Sequence, residues 1–232
     1  MLKRLYEVLS AEFGPLEGWW QAGSPFERIA GAILVQQTRW ENVDRALAGM
    51  RRRGLMSPEA VDALPLEELE ALVRPAGFYR NKARALKGVA RYLVENPGAL
   101  GLPAGELRGK LLGLRGIGDE TADVLLLYVA GRPSFVIDAY TRRTLKCMGI
   151  EGNYRQLQEL FHQSLPHDAG LFRHYHALLV EHGKRYCSRG ACEQCAASKA
   201  KIDMAGNPLV AGRPRGKIFS VSGGQIDQYV GN

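Results

Sequence analysis

The sequence predicts an all-α protein, and two kinds of observation support this. Apolar residues recur three and four positions apart along most of the chain, for example at Phe26, Ile29 and Ile33, and this is the period of an amphipathic helix. Strong helix-start signals precede such segments. In residues 24–27 a serine is placed to cap the helix, a proline takes the first helical position and a glutamate follows. No confident strand and no internal repeat interrupts the pattern.

Glycine, proline and asparagine residues divide the chain into successive helical segments. We expect helices at 2–13, from 25 to the polar stretch that begins at 36, at 41–53, a short one from 57, at 66–73, one that ends near 95, and at 103–112, 119–131, 138–148, 154–164 and 168–186. The sixth of these carries Arg80, Lys82, Arg84 and Lys87 in its first turns. A solvated face is the usual meaning of such charge, and a face that follows DNA phosphates is the alternative.

Length and charge narrow the class of protein. With 232 residues the chain can bury a substantial core, in one domain or in two interlocked lobes. The net charge of +7 favours a polyanionic partner. No apolar run approaches the roughly 20 residues of a membrane span, and the first residues lack the apolar core of a signal peptide. We therefore expect a cytoplasmic protein, associated with the nucleoid if the polyanion is DNA, and no membrane contact.

The stretch from 111 to 143 holds two signals at a fixed distance. The first is a tight turn with two glycines, Leu114-Arg115-Gly116-Ile117-Gly118, directly before a helix. The amides of such a turn and of the helix start after it can hold an anion such as a phosphate. The second is an apolar run that ends in a carboxylate, Asp138, with Arg142 and Arg143 after it. Taken singly, the turn is weak and Asp138 is more simply a helix N-cap.

Taken together, these features closely resemble the helix-hairpin-helix DNA glycosylases of the endonuclease III superfamily, from about residue 26 to residue 184. The resemblance implies two helical lobes with a cleft between them. One is a six-helix barrel at about 22–133, with the helix-hairpin-helix at about 105–131. The other joins 1–21 to 134–200, and the tail at 201–232 has no assigned role. We expect a monomer that binds double-stranded DNA containing damaged bases.

The resemblance also implies residue roles. Asp138 becomes the catalytic carboxylate, which faces the sugar of a nucleotide flipped out of the duplex. Such a carboxylate stabilises the positive charge that develops at C1′ and can orient water. The residues expected to contact DNA are Gln37, Arg115, Gly116, Ile117, Gly118 and Arg142.

Departures from the family pattern narrow the expected activity. Bifunctional members carry a lysine, which forms a Schiff base with the sugar, where this chain has Glu120. A carboxylate cannot do this, so we expect no appreciable lyase step and assign Glu120 no catalytic role. Adenine-mismatch members carry a glutamate five residues before the second glutamine of Gln36-Gln37-Thr38, and here Ala32 stands there.

The alkylpurine branch of the superfamily fits better. The segments ILVQQTRWENVDRAL, ETADVLLLYV and VIDAYTRR are similar to it. That branch lines its base pocket with aromatic residues and a late lysine, and the matching positions are Trp19, Trp20, Trp40 and Lys184. Methylated purines are cationic, and a tryptophan face attracts a cation by about 0.5–2 kcal/mol. Such a base also leaves without protonation, so a missing general acid is tolerable.

Simpler interpretations stay open for these residues. Trp19 and Trp20 can seal the interface between lobes, Trp40 can be a core residue, Lys184 a surface residue and Gln37 a helix-end amide. For the whole protein, the alternatives are a glycosylase for mismatched uracil or thymine or for oxidised bases, or a DNA-binding module without catalysis.

The cysteines raise the question of a cofactor. Cys187, Cys192 and Cys195 lie where many relatives hold a [4Fe–4S] cluster, which normally requires four thiolates. The first interval is shorter than the family's, and Lys201 stands in place of the fourth cysteine. We therefore expect no cofactor and a degenerate [4Fe–4S] site kept as a loop, with an intact cluster as the alternative. We expect His174, His176 and His182 to be structural.

Overall fold

We analysed a computed structural model of the chain. It describes residues 1–191 together with 195, 197 and 198. Cys192 and the tail at 201–232 lie outside these residues, so the predictions made for them stay predictions.

Every regular element among the described residues is helical, which confirms the predicted fold class. In that part of the chain, no helix is both long enough and apolar enough to cross a membrane. Single 3-10 turns follow α5 (Arg74–Ala76), α6 (Ala99–Gly101) and α11 (Cys187–Arg189). The α-helices in chain order are α1 Leu2–Phe13, α2 Pro25–Leu34, α3 Trp40–Arg52, α4 Pro58–Ala63, α5 Leu66–Val73, α6 Tyr79–Glu95, α7 Ala104–Leu112, α8 Asp119–Tyr128, α9 Ala139–Cys147, α10 Tyr154–Ser164 and α11 Ala169–Arg185.

Side-chain caps begin several helices where the sequence places Ser, Asp or Asn. Ser24 accepts a hydrogen bond from the backbone N–H of Glu27 at 3.0 Å, and Asn153 forms a capping box with Gln156. Such caps satisfy N–H groups that have no partner within the helix. One predicted end is three residues too late: α8 stops at Tyr128 rather than at residue 131. The N–H of Ala130 turns back to the carbonyl of Leu125 at 3.0 Å, so the chain leaves the helix early.

Two hydrophobic cores divide the molecule. The first is built from α2 to α8 and includes buried residues from Phe26 to Leu126. The second joins α1 to the last turn of α8, the apolar run 135–137 and helices α9 to α11. Leu127 and Tyr128 belong to the second core although they end a helix of the first, so α8 passes from one core to the other. The lobe boundaries expected from the sequence stay a prediction.

A buried ion pair fastens the two helices of the hairpin to the segment after them. Asp123 on α8 is fully buried, and Arg108 on α7 donates to both its oxygens at 2.9 Å. The hydroxyl of Ser134 donates to the same carboxylate at 2.6 Å. Arg108 also reaches Asp119 at 2.6 Å. These hydrogen bonds, with Asp123 first, hold the pKa of Arg108 above its ordinary value.

The basic cluster on α6 divides into two pairs. Arg80 and Arg84 have exposed side chains near Glu70, whereas Lys82 and Lys87 are bound to backbone carbonyls. The ammonium of Lys82 is buried and donates to the carbonyls of Leu34 at 2.9 Å and Ala76 at 2.6 Å. Lys87 donates to Leu64 at 2.6 Å, in the turn between α4 and α5. Both lysines therefore join α6 to neighbouring segments, and burial lowers the pKa of Lys82 to about 8.

Replacing Asp123 by asparagine is expected to lower the free energy of unfolding by about 3–5 kcal/mol, because Arg108 would keep a buried charge without its partner. The control is Asp119→Asn, which removes the outer carboxylate of the same arginine and is expected to cost about 1 kcal/mol or less. Urea unfolding followed by circular dichroism measures both. Equal losses for the two variants would contradict the ranking.

Lys82 gives the protein a distinct dependence on pH. The unfolded chain keeps the lysine proton up to about pH 10.4, whereas the folded chain releases it near pH 8. Between these values the unfolded state binds more protons, so stability rises with pH. Relative to Lys82→Met, the wild-type free energy of unfolding should rise by about 3 kcal/mol between pH 7 and 10.5. A difference that stays flat across this range, measured by urea unfolding, would show that Lys82 is not held in this way.

Candidate active site

A cavity of about 640 Å³ opens at the junction of the two cores, within the size range of ligand pockets. Its walls come from α2 and α3, the start of α8, the start of α9 and the late part of α11. The structure brings six residues predicted from the sequence to this cavity: Trp19, Trp20, Gln37, Trp40, Asp138 and Lys184. The predicted hairpin residues and Arg142 do not line it.

Asp138 is both the N-cap of α9 and a wall of the cavity. Its Oδ1 accepts the backbone N–H of Thr141 at 2.7 Å, and its side chain is 14% exposed. Burial acts to raise the pKa of Asp138, but the imidazole of His176 and the hydrogen bonds of Thr141 outweigh it and hold the pKa below its ordinary value. The carboxylate is therefore ionised at neutral pH.

His176 on α11, which was expected to be structural, lies next to Asp138 in the cavity. It is buried and lines the cavity, with Nε2 3.7 Å from Oδ2 of Asp138. Its Nδ1 lies 2.7 Å from the hydroxyl of Tyr128. Among the described residues, Nε2 has no hydrogen-bond partner at ordinary distance. This proximity has no local sequence signal, because Asp138 and His176 are far apart in the chain and on different helices.

Glu120, at the start of α8, also lines the cavity. The residue keeps part of its surface exposed to solvent. Burial, followed by the negative charge of Asp138, raises the pKa of Glu120 to about 7, and His176 and Arg142 act in the opposite direction. A large fraction of Glu120 is therefore protonated at neutral pH.

Aromatic rings form one continuous wall. Trp20 meets Trp40 edge to face at 5.9 Å between ring centroids and lies 5.1 Å from Tyr128. A Cβ at Gly31 would lie 3.3 Å from the Trp40 ring and 3.4 Å from the Trp20 ring, so glycine lets both rings pack on α2. Trp40 is 38% exposed, which rules out the alternative of a core residue.

A small charged network surrounds Trp19. The indole N–H donates to Oε1 of Glu181 at 2.8 Å, and Lys184 donates to the same oxygen at 2.9 Å. The ammonium of Lys184 also lies 5.8 Å from the centre of the Trp19 ring. Burial acts to raise the pKa of Glu181, but Trp19 and Lys184 outweigh it and lower the pKa. The sequence analysis missed Glu181, which pairs the lysine that it had singled out.

A second ion pair lies at the α2–α3 side of the cavity. Glu27 is buried and accepts from Arg51 at 3.1 Å and from the N–H of Gly23 at 3.2 Å. The hydrogen bond from Arg51 is the main reason that the pKa of Glu27 is lowered. Arg143 of α9 also lines the cavity and lies over the Tyr140 ring at 4.8 Å. The sequence analysis singled out neither ion-pair residue as part of a site.

The two hairpin glycines have different reasons to be glycine. Gly116 has φ +85°, and a Cβ there would lie 2.8 Å from Cβ of Ala85 on α6, so both the backbone and the close approach require it. Gly118 has φ −96°, and a Cβ there would meet nothing within 4 Å. Gln36 holds the hairpin in place, since its amide donates to the carbonyl of Gly116 at 3.2 Å.

The remaining predicted DNA contacts lie outside the cavity. Ile117 is buried in the first core, so it offers its backbone rather than its side chain to a partner. Arg115 is exposed. Arg142 donates to the carbonyl of Gly152 at 3.3 Å and lies over Tyr154. The sequence analysis missed Phe78, which is 65% exposed and has a left-handed backbone (φ 44°) at the turn that enters α6.

Two cysteines of the predicted [4Fe–4S] site, Cys187 and Cys195, lie among the described residues. Cys195 is buried in the second core and its Sγ accepts from the N–H of Ser198 at 3.4 Å. Within the described residues, no group of three or more His, Cys, Asp or Glu side chains is arranged to hold a metal ion. Since Lys201 also replaces the fourth thiolate, we derive no chemistry from a cluster.

The fold and the site together define the class. The molecule has two helical cores and a glycine hairpin before a helix. A carboxylate lies in the wall of an aromatic cavity between the cores. This is the architecture of a helix-hairpin-helix DNA glycosylase. Residues 30–167 match the family described as HhH-GPD superfamily base excision DNA repair protein. The chain belongs to this superfamily, and it is a base excision repair DNA glycosylase.

Individual relatives agree with this assignment. A DNA repair glycosylase candidate of Methanocaldococcus jannaschii is 38% identical over 205 residues, which are 84% of this chain and 93% of the relative. The crystal structure of the 3-methyladenine DNA glycosylase of H. pylori, bound to 1,N6-ethenoadenine, is 26% identical with a TM-score of 0.67 and covers 78% of this chain and 97% of that one. A non-covalent endonuclease III–DNA complex shares the fold at 22% identity, with a TM-score of 0.71 over 88% of this chain and 97% of that one.

Proposed function

We propose that the protein is a monofunctional glycosylase that removes alkylated purines, of the 3-methyladenine and 7-methylguanine type, from double-stranded DNA. The observation that carries this proposal is the cavity itself, in which tryptophan rings form the wall beside an ionised Asp138. The similarity to the H. pylori 3-methyladenine enzyme supports it.

The cavity has the chemistry to receive a cationic base. Tryptophan faces attract a cation by about 0.5–2 kcal/mol each, and Trp19, Trp20 and Trp40 all line the cavity. Glu181 accepts from Trp19 and makes that ring more electron-rich. A methylated purine carries a positive charge, whereas the normal purine does not, so the wall distinguishes damaged from normal bases by charge as well as shape.

Asp138 supplies the electrostatics of bond cleavage. As the C1′–N bond breaks, its electron pair leaves with the cationic base, which departs neutral. The sugar takes up positive charge, and the carboxylate of Asp138 stabilises that charge across the cavity. A water oxygen then forms the new bond to C1′, and Asp138 accepts the proton that the water releases.

The proposal that the protein has no lyase step rests on the amino groups near the cavity. Glu120 cannot form a Schiff base with the sugar. Among the described residues, Lys184 is the lysine that lines the cavity, and its ammonium is paired with Glu181 at 2.9 Å. This ion pair directs the ammonium group to Glu181, and an ammonium group is not a nucleophile.

The DNA would lie across the hairpin and the mouth of the cavity. The hairpin amides near Gly116 and Gly118, with Arg115 and Arg142, would hold phosphates. Gln37, which has a left-handed backbone at the cavity wall, would fill the space that the flipped nucleotide leaves. Phe78 is an exposed apolar side chain of the kind that is inserted between bases. A monomer suffices for these contacts.

A second candidate substrate class is favoured by Glu120. Its pKa near 7 is suited to a general acid, and neutral bases such as uracil or oxidised purines leave more readily when protonated. If this group acts as an acid, release of neutral bases should fall as pH rises above 7, whereas release of cationic methylpurines should not.

Substitutions at the two hairpin glycines should affect DNA binding and folding separately. Gly118→Ala should fold normally, because its Cβ has room, yet weaken DNA binding about 10-fold by covering amides that contact phosphate. Gly116→Ala should instead lower the free energy of unfolding by about 1–3 kcal/mol, because its φ is positive. Fluorescence anisotropy with duplex DNA and urea unfolding measure the two effects. Unchanged DNA affinity for Gly118→Ala would remove the hairpin from the DNA interface.

Base release from defined duplexes tests the proposed function. Duplexes carrying a methylated purine, uracil or 8-oxoguanine are incubated with the wild type and with Asp138→Asn, and strands are analysed with and without alkali. We expect methylpurine release, breaks after alkali treatment alone, and a loss of at least about 100-fold in Asp138→Asn.

The other outcomes each overturn a stated part. Strand breaks without alkali contradict the monofunctional proposal, and Lys184→Met then tests the nearest amine. Release of uracil or 8-oxoguanine in preference to methylpurine replaces the substrate class. DNA binding without release from any of these duplexes contradicts the proposed activity.

A further inference from the structure

We infer that His176, oriented by Tyr128, is a positioning residue for Asp138: its Nε2–H faces Oδ2 and fixes the carboxylate toward the flipped nucleotide. This inference rests on the proposed function, because it needs Asp138 to act on a sugar. Both His176 and Tyr128 are buried, and His176 lines the cavity.

The side chains of Tyr128, His176 and Asp138 form a continuous row that joins α8, α11 and the N-cap of α9. Tyr128, in the last turn of α8, lies 2.7 Å from Nδ1 of His176, and Nε2 of the same ring lies 3.7 Å from Oδ2 of Asp138. Arg28 donates to the backbone carbonyl of Tyr128 at 3.1 Å, and Trp19 packs edge to face on the imidazole at 5.9 Å. The imidazole of His176 is therefore held between Tyr128 and Trp19, and its Nε2 is directed at the carboxylate of Asp138.

The tyrosine selects the tautomer of the histidine. The Tyr128 hydroxyl has two acceptors within reach, Nδ1 of His176 at 2.7 Å and the backbone carbonyl of Arg173 at 3.3 Å, and its shorter contact is with the imidazole. Burial keeps the pKa of Tyr128 far above its ordinary value, so the phenol carries a proton to donate. When that proton is donated to Nδ1, the neutral imidazole must carry its own proton on Nε2. An N–H then faces the carboxylate, whereas the other neutral tautomer would place a lone pair against it. A protonated ring presents the same N–H.

The two carboxylate oxygens of Asp138 therefore have different contacts. Oδ1 is committed to the N–H of Thr141 at 2.7 Å, which fixes one side of the carboxylate. Oδ2 faces Nε2 of the imidazole at 3.7 Å, slightly longer than a hydrogen bond, and Nε2 is buried from solvent. A fixed carboxylate plane directs Oδ2 toward C1′, and misplacement by about 1 Å at such a centre can cost 100-fold in rate.

Other titratable or charged groups lie on the helices around Asp138, and their influence must be separated from that of His176. Glu120 and Tyr128 lie on α8, and Arg142 and Arg143 lie on its own helix. Burial acts to raise the pKa of Asp138, and His176 is the largest of the influences that lower it. Removing the imidazole should therefore raise that pKa, and activity should be lost at a higher pH on the acid side.

Matched variants distinguish positioning from packing. His176→Leu removes the donor, and His176→Gln keeps an amide N–H that reaches the same number of bonds from the backbone. The control is His174→Leu, two residues earlier on α11. His174 makes a similar contact, with Nδ1 2.9 Å from the hydroxyl of Tyr6, but it does not line the cavity.

Single-turnover base release from methylpurine DNA, measured against pH, and DNA affinity give the readouts. We expect His176→Leu to slow base release about 10- to 100-fold with little change in DNA affinity, and its acid limb to move to higher pH. His176→Gln should recover most of the rate, and His174→Leu should leave rate and pH profile unchanged. The same shift of the acid limb should persist when Glu120 is replaced by glutamine.

A readout without turnover accompanies the kinetics. Long-range ¹H–¹⁵N spectra of histidine-labelled protein should show the Nε2–H form of His176 in the wild type and a mixture of tautomers in Tyr128→Phe. A wild-type rate in His176→Leu, a loss that glutamine does not recover, or an Nδ1–H form of His176 would each overturn the inference. If the wild type releases no base at all, the proposed function fails first and the inference fails with it.

Discussion

The buried pairing of Arg108 with Asp123 is the interaction on which the rest of the structure depends. Asp123 lies on α8 and accepts from α7 and from Ser134 at once, so one carboxylate joins both hairpin helices to the start of the next segment. That segment enters the second core as 135–137 and ends at Asp138. The hairpin proposed to bind phosphate and the carboxylate proposed to face the sugar are therefore held in one frame, at the cost of burying a charge that requires its partner.

The site reuses groups that the fold needs anyway. Asp138 begins α9 by accepting from Thr141, and the same side chain faces the cavity. The capping bond fixes the carboxylate and helps to keep it ionised, although burial opposes this. Glu120 and Asp138 repel each other across the cavity, and the proton goes to Glu120, whose pKa is near 7. Two carboxyl groups of one cavity are thus kept in different protonation states by their surroundings.

Local signals made much of the fold predictable from sequence. The Ser24 cap, the turn at Gly116 and the Asp138 cap each form between residues only a few positions apart in the chain. A short window of sequence therefore contains the whole signal. Contacts between distant segments were not predictable in this way. Lys82 looked like part of a charged face because nothing in its own helix indicates that it reaches the carbonyls of Leu34 and Ala76.

The same distinction between local signals and distant contacts explains which cavity residues could be predicted from the sequence. The tryptophans stand out by residue type, and the resemblance to a family placed them. By sequence, His176 and Glu181 are ordinary polar residues of a helix. Their place in the site depends on partners more than 30 positions away, which are Asp138 for His176 and Trp19 for Glu181. Because α8 passes from one core to the other and ends at Tyr128, the position of that helix sets both the aromatic wall and the row of side chains behind Asp138. Chemistry at this cavity therefore depends on packing between the cores as much as on the residues that touch DNA.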